Sequence, residues 1–60
     1  MLNIETNPNY IKLRNRIERF KEEIELNSPS LIVENELILI MEASNQLLKD
    51  LRKVRQEEND

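Results

Sequence analysis

The apolar residues of this chain fall into two evenly spaced series that mirror each other about Ser28-Pro29, and that symmetry limits the fold more than any other feature. Tyr10, Leu13, Ile17, Phe20 and Ile24 are separated alternately by three and four residues. Val33, Leu37, Ile40, Ser44 and Leu47 follow the same rhythm, which Leu51 and Val54 extend. A three-four alternation places residues along one stripe of an α-helix and is the seam pattern of paired helices. The residue numbers in the pairs 24 and 33, 20 and 37, 17 and 40, 13 and 44, and 10 and 47 each add to 57. Doubling the chain back between Ser28 and Pro29 therefore brings all five pairs level. The expected fold is all-α, an antiparallel two-helix hairpin.

Local signals agree. Asn7-Pro8 and Ser28-Pro29 each place a capping side chain before a proline at the first helical position. They predict helix 1 over about 8–26, a turn at 27–28 and helix 2 over about 29–57, with residues 1–7 as an N-terminal arm and 58–60 as a tail. The chain has no glycine, so Asn27 is the residue best suited to a left-handed helix stop. A connection this short returns the second helix along the first. Ser44, the polar member of its series, is expected to relieve crowding opposite Leu13 and to bond a carbonyl one turn back. Helix 2 outlasts helix 1 by about ten residues, roughly 15 Å, so Leu47, Leu48, Leu51 and Val54 need a cover. Leu2 and Ile4, or a second subunit, are the candidates.

The run LIVENELILIM, residues 31–41, has eight apolar residues out of eleven, more than one neighbouring helix can shelter. At about 100° per residue, Val33, Leu37, Ile40 and Met41 share the seam. Ile32 and Leu39 lie to one side of it, and Leu31 and Ile38 nearly opposite. A helix apolar on most sides is a buried helix. A sixty-residue chain buries only about 60% of its unfolded surface and needs a support. With no Cys and no His, disulfides and common zinc sites are not available, which leaves association. The expectation is a homodimer of hairpins forming a four-helix bundle, with Leu31, Ile32, Ile38 and Leu39 as the oligomer or partner contact. The alternative is docking of the same surface on a different, larger protein.

Charge comes in blocks. Residues 8–21 carry a net +4, residues 22–42 a net −6 from six Glu, and residues 43–55 a net +3. Folded at the turn, both basic blocks gather at the open end and the acidic block at the closed end. Charge complementarity could then orient two hairpins head to tail. The plain alternative is a solvated surface with pairs such as Arg14–Glu18, Arg19–Glu23 and Lys21–Glu25. A basic open end could also hold an anion or nucleic acid, with Lys12, Arg16 and Arg19 on one helix face and Lys49, Arg52 and Lys53 on the other helix. In architecture, such a dimer resembles plasmid copy-control hairpin proteins of the Rop type; the resemblance is one of form and rests on no shared motif. The net charge of −3 and the single Tyr and single Phe weigh against nucleic acid.

The composition also excludes much chemistry. The chain has no His or Cys, no Gly-rich phosphate loop and no paired carboxylates in a pocket pattern. Glu34, Asn35 and Glu36 lack the glycine-centred oxygen loop of a calcium site. No enzyme activity, cofactor, metal or small-molecule substrate is expected. The opening MLNIETNPNY does not read as a secretory signal, and residues 31–41 are too short, and interrupted by Glu34 and Glu36, to cross a bilayer. The expected function is that of a small, cytoplasmic, non-catalytic protein-interaction module; the alternative is a nucleic-acid-binding regulator.

Overall fold

Asn7 organises the start of the fold. In the computed structural model, which describes residues 3–58, its side-chain carbonyl accepts hydrogen bonds from the backbone N–H groups of Asn9 (2.8 Å) and Tyr10 (3.1 Å). With Pro8 at the first helical position, this caps helix α1, Pro8–Glu25. A short 3₁₀ turn, Ile4–Thr6, leads into it. Leu2 lies outside the described residues, as do residues 59 and 60 of the tail.

The stop of α1 is built without glycine. Asn27 takes a left-handed conformation, φ 53°, the region a short polar side chain tolerates best after glycine. The Ser28 N–H then reaches the Glu23 carbonyl (3.1 Å) and the Asn27 N–H reaches that of Ile24 (3.1 Å). This is the two-bond Schellman arrangement, which satisfies carbonyls the helix end would otherwise leave open. Ser28 does not cap the second helix. Its hydroxyl donates to the Glu23 carboxylate, and it is the Pro29 carbonyl that accepts the first bonds, from Ile32 (2.9 Å) and Val33 (3.2 Å). Helix α2 spans Ser30–Glu58. The two helices pack antiparallel as a hairpin 48 Å long, with no strand among the described residues.

The contact between them is turned from the one the apolar spacing suggests. Along α2, Val33, Glu36, Ile40, Ala43, Leu47, Asp50 and Val54 are the residues half-buried or buried along the contact. Ala43 is 1% exposed and Leu47 8%; among the described residues these are the two buried hydrophobics. On α1 the matching set is Asn9, Leu13, Arg16, Phe20 and Glu23, all half-buried. Val33, Ile40, Leu47, Leu13 and Phe20 therefore serve as the mirrored spacing implies. Ile17, Ile24, Leu37 and Ser44 do not; they are exposed, and Arg16, Glu23, Glu36 and Ala43 stand in their places. Tyr10 sits at the border, half-buried, with the Arg14 guanidinium 5.9 Å from its ring centroid.

Two physical causes account for the rotation. Ala43 is the only alanine of the chain, and a small side chain lets two backbones approach closely at mid-hairpin. At the open end, Asn7 and Asn9 both donate to one Asp50 carboxylate oxygen, at 3.2 and 2.7 Å, which pulls the Asp50 side of α2 toward α1. Asn7 and Asp50 again add to 57, so the longitudinal register of the mirror holds while the azimuth shifts by about one residue.

Candidate interaction surface

That one-residue shift creates the principal surface of the molecule. Ile17 and Ile24 follow Arg16 and Glu23 by one residue; Leu37, Ser44 and Leu51 follow Glu36, Ala43 and Asp50 by one residue. One residue is a turn of about 100° about the helix axis. The helices run in opposite directions, so equal steps from their contact bring both sets to the same broad side of the hairpin. Met41 and Leu48 extend the α2 stripe. Ile17, Ile24, Leu37, Met41, Leu48 and Leu51 are between 36% and 63% exposed. The two helices thus share one apolar face that neither covers for the other. Leu51 also carries it onto the part of α2 that runs past Asp50, eight residues or about 12 Å beyond the level of Asn7. Among the described residues, Ile4 is itself exposed and Leu51 of the overhang stays exposed with it, while Val54 is half-buried.

The residues Leu31, Ile32, Ile38 and Leu39 do not make a single face. Leu31 and Ile38, 65% and 45% exposed, point away from α1. Ile32 and Leu39 lie on the opposite flank from the shared face, with Leu39 half-buried.

Polar groups occupy the rim of the helix contact. Arg19 Nε stands 3.6 Å from Glu23 and 3.9 Å from Glu36 across the hairpin, so the guanidinium spans two carboxylates. The second Glu36 oxygen, Oε2, is buried with no partner, a local cost of burying a carboxylate. Lys21 pairs with Glu18 at 3.5 Å rather than with Glu25, and Arg14 lies over Tyr10 rather than against Glu18. At the open end the hydrogen bonds from Asn9 and Asn7, helped by the Lys53 charge and opposed by partial burial, hold the Asp50 carboxyl below its ordinary pKa of 3.8.

The basic residues divide. Lys12, Arg16 and Arg19 gather with Pro8, Ile11 and Asn15 around an open depression of about 460 Å³ on α1. Lys49, Arg52 and Lys53 spread over different sides of α2. Arg52 borders the apolar face beside Leu48 and Leu51, and Lys53 lies with Asn7 and Asp50. The six do not form one basic surface, and Arg19 is already committed to acids. Among the described residues, no helix is long and apolar enough to cross a membrane.

Comparison with protein-family models, with curated proteins and with solved structures finds no match for the chain. The functional reading therefore rests on the residues and their arrangement.

Sequence reasoning locates an apolar surplus on α2 at Leu31, Ile32, Ile38 and Leu39; the structure leaves a second set, Leu37, Met41, Leu48 and Leu51, exposed as well. The signal for the rotated contact lies in Ala43: a lone alanine beside a series of large residues is a position where two helices can pack closely.

Proposed function

We propose that the chain is a non-catalytic helical interaction module that works as a homodimer and offers its remaining apolar side to a larger protein. The observation that carries this reading is the apolar face shared by Ile17, Ile24, Leu37, Met41, Leu48 and Leu51. A stripe running from Leu37 to Leu51 on α2 beside Ile17 and Ile24 on α1 is larger than the scattered apolar residues of an ordinary surface, and such patches mark association sites. The sparse interior of the hairpin supports it too: two buried hydrophobics among the described residues are a thin core for a chain of this size. A second hairpin laid on the face supplies the missing core of a four-helix bundle. Leu31 and Ile38, which lie outside that contact, are the residues offered to the larger partner.

The test is solution mass. Light scattering at micromolar concentration gives twice the 7.2 kDa of one chain, and Leu37→Glu with Leu48→Glu lowers the mass to that of one chain while reducing helical circular dichroism. A wild-type chain that is fully helical and single-copy under these conditions removes the proposal.

The alternative, a nucleic-acid-binding regulator, is favoured by one observation, the gathering of Lys12, Arg16 and Arg19 around a single depression. Binding to duplex RNA or DNA that weakens steeply with salt supports it; no binding at low salt removes it.

A further inference from the structure

The α2 stripe has a symmetry of its own. Leu37 and Leu51 stand seven residues before and after Ser44. Met41 and Leu48 stand three and four residues to either side of it. A helix whose apolar residues are disposed equally about one point is complementary to a second copy of itself laid antiparallel, with that point on the two-fold axis. Ser44 is also the smallest exposed residue of the stripe, and a small side chain at the axis lets two helices cross closely.

Resting on the homodimer reading above, we propose that the two copies pair head to tail, with α2 against α2 and the two Ser44 residues facing each other at the axis. Leu37 of each copy then lies level with Leu51 of the other. The α2 overhang, which projects about 12 Å beyond the level of Asn7, lies over the turn half of the second copy, where Leu37 and Ile24 are exposed. Leu51, exposed on the overhang of one hairpin, is covered in the pair, and both ends of the assembly are filled at once.

Charge selects this orientation over the other two-fold arrangement. With turn against turn, the two acidic blocks, each −6 over residues 22–42, would face each other, and so would the basic open ends. Head to tail, each acidic turn lies beside a basic open end. On α2 the match reaches single residues. Glu34 and Arg52 both border the stripe on the side away from α1, ten and eight residues from Ser44, so Glu34 of one copy comes within two residues, about 3 Å along the axis, of the level of Arg52 of the other, twice per dimer. Among the described residues neither forms an ion pair within its own chain. In antiparallel helix pairs such flanking charges fix orientation and register.

Because the chain has no cysteine, single thiols report the geometry directly. Ser30→Cys carrying a spin label lies fourteen residues from Ser44, so a head-to-tail dimer gives an inter-label distance of about 42 Å at 1.5 Å per residue. A turn-to-turn dimer gives roughly 20 Å or less, about two interaxial spacings. Ser44→Cys is expected to form an intermolecular disulfide under mild oxidation, since the bond requires Cα atoms within about 7 Å. Glu34→Arg and Arg52→Glu should each raise the dimer dissociation constant several-fold, and the double exchange should restore it. A dimer with the short label distance and no Ser44→Cys cross-link overturns the head-to-tail pairing while leaving the homodimer reading intact. A single-copy mass overturns the homodimer reading itself.

Discussion

Ala43→Leu is the substitution that most directly tests how the helices meet. Ala43 is 1% exposed and lies in the contact between α1 and α2. Leucine adds three carbons at a position with no free surface to receive them. Forcing extra methylenes into such a contact costs about 1–3 kcal/mol; a middle value of about 2 kcal/mol corresponds to a melting-temperature drop on the order of 10 °C for a domain of this size. The neighbouring Ser44→Ala is the control: Ser44 is exposed, and the change should stay within about 0.5 kcal/mol of wild type. Thermal melts followed by circular dichroism, at matched protein concentrations because association makes the midpoint concentration-dependent, give both numbers. If Ala43→Leu melts within about 2 °C of wild type while Ser44→Ala falls by about 10 °C, the helix contact is the one in which Ser44 faces α1, and the account of the rotated seam is wrong.

Three further outcomes follow from named contacts. The depressed Asp50 carboxyl contributes stability that is fully present above its unfolded pKa and is lost as pH falls through the lower folded value; the melting-temperature gap between wild type and Asp50→Asn should be open at pH 7 and narrow in acid below the ordinary carboxylate range, and a gap that does not change with pH contradicts the assignment. Asn27→Gly should raise the urea midpoint, by up to about 1 kcal/mol of stability, because glycine occupies the left-handed region without a side-chain penalty; Asn27→Val should lower it. Glu36→Met removes the buried, unpartnered oxygen while keeping the volume, and should stabilise the hairpin by about 1 kcal/mol; a clear loss on chemical unfolding would mean that the contact with Arg19 outweighs the burial.

The hairpin itself was legible from residue spacing, because the longitudinal match of two helices depends only on chain length between paired positions, and a fold at Ser28-Pro29 sets it. Asn27 was legible because left-handed backbone leaves few alternatives to glycine. The azimuth was not. Assigning every large apolar residue to the internal contact treats the partner helix as the only available cover, whereas two helices alone can shelter one narrow stripe. Ala43 wins that stripe through close approach, and Asp50 through its bonds to Asn7 and Asn9, neither of which an apolar series reveals. Ser28 illustrates a competition of the same kind: its hydroxyl is drawn to Glu23 and so cannot serve the helix that follows. The surplus over 31–41 was visible as an amount of apolar surface, but its division between a shared broad face and the outward pair Leu31 and Ile38 required the actual rotation of α2.

The glycine-free reversal at Asn27 has a kinetic consequence. The connection is so tight that residues flanking it meet almost without loop-closure entropy, and each successive level of the hairpin adds only a small increment. A chain of this topology has low contact order and belongs among the fast folders. Assembly should begin beside the reversal and advance toward Asp50, whose bond to Asn7 bridges 43 positions of sequence, so that this tie is the last to form and the first to release.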